Sequence, residues 1–155
     1  MVSESVWDYP RPPAIKPDTR RVRVEFAGVI VADSTRAIRI LETSHPPSFY
    51  IPPADVRMDL LTREEHHSFC EWKGQADYWT LGIAGQIAEN VAWSYPKPVA
   101  RYAAIGNHLS FYPGRVHACY ADDERVTPQA GNFYGGWITS DIKGPFKGAA
   151  GTSGW

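Results

Sequence analysis

The sequence predicts a mainly β protein of short strands, and three observations carry that prediction. Thirteen prolines and thirteen glycines in 155 residues interrupt the chain too often for long helices. Residues 21–26 alternate with period two: Val22, Val24 and Phe26 share one face, Arg21, Arg23 and Glu25 the other. Ala27-Gly28 then offers a two-residue turn into a second strand at 29–32, giving a hairpin.

The remaining elements follow in order. Residues 1–20 form an arm with Pro10, Pro12, Pro13 and Pro17, and proline's fixed φ and missing donor make it extended. Trp7 and Tyr9 would be costly in water, so they are expected to dock the arm on the body. Asp33-Ser34-Thr35 turns the chain into a third strand at 36–42. There Ile38 and Ile40 share a face with Arg36 and Glu42. Either both charges sit at strand ends in water or Glu42 faces a pocket. Pro46-Pro47 breaks the chain before a short strand at 49–51, and 53–56 suits one helical turn. Residues 57–61 read as extended, with Arg57 and Asp59 on one face.

Residues 62–65 read as a polar turn, 68–73 as a strand, and Gly74-Gln75 as the bend into a strand at 77–81. In that strand Trp79 and Leu81 face away from Tyr78. Residues 82–86 read as a glycine-bearing loop, and 89–95 as a strand with Val91, Trp93 and Tyr95 on one face. Residues 99–106 are a small helix or irregular. Residues 108–112 and 115–120 read as a hairpin about Pro113-Gly114. From 127 the chain is rich in glycine yet spaced with Phe133, Tyr134, Trp137, Ile138, Phe146 and Trp155. A pure linker would lack those rings, so a tail that wraps the body or a second subunit is expected. The organisation is thus an arm (1–20), one β domain (21–126) and a tail (127–155).

Composition narrows the function. A net charge of −1 and a pI near 6.5 give no basic field for nucleic acid or an anionic membrane. No run of 18 or more apolar residues occurs, so no membrane span is expected. MVSESVWDYPRPP does not read as a signal peptide, and Cys70 and Cys119 are too few for a disulfide framework. A cytoplasmic location is the expectation.

The densest mixture of rings and charges lies at 50–79, YIPPADVRMDLLTREEHHSFCEWKGQADYW. Such a mixture suits a concave site with apolar walls and a few convergent polar groups. Arg57, Asp59, Glu42 and Lys73 would supply hydrogen bonds, and Tyr50, Trp79, Trp93 and Tyr95 the walls. A polar network tying sheets together around core aromatics is the plainer reading. His67-x-x-Cys70 and His117-x-Cys119 make a formal two-His, two-Cys set, but real structural zinc sites show tighter paired spacing, so no metal is expected. Cys70 stands near His66, His67 and Lys73, which would activate a thiol; no resolving partner is evident, and a buried inert cysteine is the preferred reading.

The blocks VIVADSTRAIRILETSHPPSFYIPPADVRMDLL, CEWKGQADYWTL and ENVAWSYPKP, with Phe111-Tyr112 to Asp123 after them, resemble the family called domain of unknown function 427, which also carries a nucleotidyltransferase-like label. The resemblance spans roughly 21–123; the arm and tail look like extensions of a longer subgroup. It implies two antiparallel sheets meeting at an angle, similar to the tent-shaped domains of methionine-R-sulfoxide reductases, Mss-type proteins and the thalidomide-binding domain of cereblon, whose clefts hold ligands. The family's recurring residues match at Arg36, Glu42, Tyr50, Arg57, Asp59, Cys70, Lys73, Gly74, Tyr78, Trp79, Asn90, Trp93 and Tyr95. Nucleotidyl transfer needs metal-binding carboxylates, and Asp59 stands without a partner at the required spacing.

The expectation is therefore a small-molecule-binding β domain with an aromatic and charged cleft and no cofactor, its reaction, if any, left open. The catalytic candidates are Glu42, Asp59, Cys70 and Lys73. The ligand-binding candidates are Arg36, Tyr50, Arg57, Asp59, Lys73, Tyr78, Trp79, Trp93 and Tyr95. The alternative is an oligomerisation module without a small ligand, a homo-oligomer joined through arm and tail.

Overall fold

The structure, a computed structural model, describes residues 3–130 and 134–147. Phe133 and Trp155, two of the tail rings, lie outside the described residues.

The protein is mainly β. A seven-stranded antiparallel sheet runs in the order β2 (Ala14–Asp18), β5 (Ala37–Leu41), β6 (Ser48–Ile51), β10 (Leu109–Phe111), β9 (Gln86–Ser94), β8 (Gly74–Ile83), β7 (Leu61–Cys70). A four-stranded antiparallel sheet runs β12 (Glu124–Arg125), β11 (Ala118–Ala121), β3 (Val22–Phe26), β4 (Val29–Ser34). The helical elements among the described residues are short 3-10 turns, the longest Ala100–Ile105. None is long and apolar enough to cross a membrane.

The two sheets close over one core. Val22, Val24, Val31, Cys119 and Ala121 of the small sheet meet Phe49, Ile51, Leu81, Val91, Leu109 and Phe111 of the large one. The alternation of β3 predicts this: its apolar face is buried and its charged face is not. The large sheet is also covered on its second face. Tyr50, Trp93, Tyr95, Tyr102, Ile105 and Tyr112 form a separate buried cluster there. Period two separates the faces within single strands: Phe49 and Ile51 point to the shared core, Tyr50 to the aromatic cluster.

The described parts of the arm and of the tail lie on this body. The arm supplies β1 (Glu4–Ser5), which pairs in parallel with β15 (Ile142–Lys143) of the tail, and β2, which joins the large sheet as its edge. Val6, Tyr9, Leu41 and Ile142 pack together beneath. Arg39, 4% exposed, receives the Glu4 carboxylate on Nη1 at 2.9 Å and Nη2 at 3.2 Å. The Trp7 indole donates to the Pro145 carbonyl at 2.9 Å. In the tail, Trp137 is fully buried, stacks on Phe49 at 4.8 Å and donates Nε1 to the Phe111 carbonyl at 3.0 Å.

Four local readings are corrected. Residues 62–65 are not a turn: β7 runs unbroken through them as the outermost strand, so its polar residues face solvent on an edge. Residues 82–86 are not a loop: Ala84 and Gly85 alone turn β8 into β9, both at positive φ (50° and 81°), as a two-residue hairpin demands. Residues 108–112 and 115–120 are not a hairpin. β10 lies in the large sheet and β11 in the small one, and the 3-10 turn Pro113–Arg115 carries the chain between sheets. Residues 57–61 are not extended: Met58–Leu60 is a 3-10 turn.

Candidate functional site

A cavity of about 360 Å³ opens on the second face of the large sheet. The registers that align Tyr50 with Ser110, Ser110 with Trp93, and Trp93 with Tyr78 set those residues in one row across β6, β10, β9 and β8. Tyr50, Trp93 and Tyr78 from that row line the cavity. Tyr95 and Tyr112, just past the ends of β9 and β10, close its sides. The connection from β5 to β6 brings Glu42, His45 and Pro46, and the β7–β8 turn brings Lys73. Tyr134, Gly135, Gly136, Gln129 and Lys147 of the tail form the remaining wall.

The rings are tied to one another. Trp93 Nε1 donates to Tyr50 Oη at 3.0 Å, with the rings edge to face at 6.0 Å. Trp93 and Tyr112 lie 4.6 Å apart, and the Arg115 guanidinium sits over Tyr112 at 3.8 Å. The Tyr78 and Ser68 hydroxyls share a 2.6 Å hydrogen bond. Burial raises the Tyr50 phenol far above its ordinary range and does the same to Tyr95, with Tyr50 adding to it; burial also pushes Tyr112 up to about 12. All three are neutral phenols at any physiological pH.

The charged groups are less well satisfied. Lys73 is 7% exposed, yet the one carboxylate oxygen within 4.0 Å of its Nζ among the described residues is Glu42 Oε1, at 4.0 Å. That is an ion pair without a hydrogen bond. Nζ also stands 5.9 Å from the centre of the Tyr95 ring. Glu42 Oε2 is 3.3 Å from His45 Nε2. Desolvation lowers the His45 pKa; Glu42 opposes that shift, while Lys147, Lys73 and Arg11 reinforce it.

Of the residues selected from sequence, Glu42, Tyr50, Lys73, Tyr78, Trp93 and Tyr95 meet at this cavity. The others do not. Arg57 and Asp59 pair with each other at 2.9 and 2.8 Å on the exposed surface, because the 3-10 turn folds them together. Arg36 is exposed and pairs with Asp55 at 2.8 Å. Trp79 lies on the opposite face of the sheet, against the main core, and donates Nε1 to Ser94 Oγ at 2.9 Å. Strand geometry requires this, since neighbours such as Tyr78 and Trp79 cannot aim at one hollow. Cys70 ends β7 and packs against the aromatic cluster without lining the cavity. The four residues of the formal zinc set are dispersed. Cys119 is in the shared core, His117 Nδ1 accepts the Ala27 N–H at 2.9 Å, and His67 Nδ1 is 3.0 Å from Asp77 Oδ1.

Sequence reasoning missed His45, Tyr112, Gln129, Lys147 and the glycines at 135–136. The Gly135-Gly136 pair carried a signal. A Cβ at Gly135 would stand 2.3 Å from Trp93 Cη2, and one at Gly136 would stand 2.5 Å from Pro46 Cγ. Two adjacent glycines thus mark where the tail backbone lies directly on the indole.

No curated protein matches the chain. The family described as Domain of unknown function (DUF427) matches residues 14–122, from β2 through β11. That span holds the seven-stranded sheet, three of the four strands of the smaller sheet and the strand-borne walls of the cavity, and leaves out β1, β12 and the tail wall. On this match the chain belongs to the DUF427 family.

Proposed function

We propose that the protein binds a small organic molecule in the aromatic cavity, with a ring against Trp93, Tyr95 and Tyr112 and an acceptor group at Lys73. The observation that carries this reading is Lys73 itself. Its stem is largely buried, its Nζ has no hydrogen bond among the described residues, and Nζ is not one of the sealed, unpartnered polar atoms, so the ammonium faces the open cavity, where a ligand acceptor can take its donors. The cavity volume lies at the small end of the range for organic ligands. Glu42, itself paired with His45, stands 4.0 Å from the ammonium on one side, and the Tyr95 ring stands 5.9 Å from it.

The test is a thermal-shift screen of ring-bearing fragments that carry a carbonyl or carboxylate, run on the full chain. Binders should raise the melting temperature by mass action, and Lys73→Met should weaken them by about tenfold or more. Arg57→Ala should leave them unchanged. A screen in which no fragment shifts the wild-type protein, or in which Arg57→Ala and not Lys73→Met abolishes binding, would overturn the reading.

A further inference from the structure

We infer that the occupant of this cavity is a small planar monoanion, an aromatic or heterocyclic carboxylate, an assignment that rests on the binding reading above. The polar groups around the cavity are unequally committed. The Trp93 N–H is spent on Tyr50 and the Tyr78 hydroxyl on Ser68. Gln129 is partly engaged: Nε2 donates one N–H to the Lys147 carbonyl at 2.6 Å and Oε1 accepts from the Gly136 N–H at 3.2 Å. Glu42 is held between His45 and Lys73. The Tyr112 hydroxyl and the second Gln129 N–H remain as neutral groups, while the lysine ammoniums supply the positive charge.

The charge balance agrees. Two lysines, Lys73 and Lys147, and one carboxylate, Glu42, line the cavity, so it carries a net single positive charge when the His45 imidazole is neutral. Desolvation, Lys147, Lys73 and Arg11 all favour that neutral imidazole. A monoanion neutralises the site; a cation would add to the lysines. The backbone at Gly135 lies against the edge of Trp93, and Tyr50, Tyr78, Tyr95 and Tyr112 line the same cavity, so the wall that a ligand meets is largely aromatic and matches a flat ring.

The experiment is calorimetric titration of the full chain with three ring acids, benzoate, nicotinate and indole-3-carboxylate, each beside its primary amide and its aminomethyl analogue. At least one carboxylate should bind at least tenfold tighter than its amide, and the amines should bind weakest. Raising the salt concentration should weaken the carboxylate and leave the amide nearly unchanged. Lys73→Met should reduce the preference for carboxylate over amide to within about threefold, and Lys147→Met should reduce it partly. If binding occurs but no carboxylate binds tenfold tighter than its own amide, the anion assignment is overturned and the binding reading stands. A preference that survives in both lysine variants also overturns the assignment. Failure of all nine compounds to bind removes both.

Discussion

Lys73 has a largely buried stem at the foot of an aromatic wall, and its Nζ stands 4.0 Å from its counter-charge with no hydrogen bond among the described residues. Natural sites trade stability for function at such positions. In the ligand-free protein, Lys73→Met should therefore raise stability by about 0.5–2 kcal/mol while weakening binding. Thermal denaturation checks this, and a destabilised variant would mark the lysine as structural. Glu4 makes the opposite case. Arg39 holds its carboxyl at about 2, well below its ordinary value of 4.5, with Tyr9 and Lys16 helping and burial opposing. A depressed carboxylate contributes stability above its unfolded pKa and loses it as pH falls toward the folded one. The Glu4 share should thus be present at pH 6 and fade between about pH 4.5 and 2. Discounted for partial exposure, it is worth roughly 1–2 kcal/mol. Glu4→Gln should lower stability at pH 6 by that amount and flatten the acid limb of the unfolding curve.

At the scale of elements, the tail segment at 134–136 and the strands beneath it define the cavity together. Gly135→Ala would place a methyl inside the Trp93 ring edge, so either the segment lifts or the indole turns. The expected cost is about 1–3 kcal/mol, with lost affinity for any ring ligand. Chemical denaturation and titration of the variant measure both. Elements were legible in the sequence where one face is polar and one buried. β3 is plain from Val22, Val24 and Phe26, and the Ala27-Gly28 turn shows both residues at positive φ (50° and 76°). Legibility failed where tertiary context decides. β7 reads as a broken polar segment because it is an edge strand with little to bury. β10 and β11 read as a hairpin because nothing local says that Pro113–Arg115 carries the chain from one sheet to the other. Arg57 looked like a site residue because a charge near aromatic sequence does not reveal that its own neighbour, Asp59, satisfies it.

At the scale of the molecule, the large sheet is the wall between two interiors. One is the shared core with the small sheet, and the other is the aromatic cluster with its cavity. Trp79 and Trp93 fall on opposite sides of that wall, which is why counting rings in the sequence overestimates how many one site can use. The tail helps to seal both sides. Trp137 fills the core beside Phe49 and Phe111, while Gly135 and Gly136 press on the cavity. Trp137→Ala should cost about 3–5 kcal/mol and lower the unfolding midpoint of the whole molecule in one transition. A separate early transition would instead show the tail melting independently of the body.

The ligand should enter on the Trp93 face of the large sheet. Two-dimensional NMR of the indole N–H signals, assigned with Trp93→Phe and Trp79→Phe, reads it directly during titration with the ring carboxylate that binds tightest. The Trp93 signal should move and saturate with the calorimetric affinity while Trp79, behind the sheet, stays in place. Movement of Trp79 with Trp93 unmoved would contradict it.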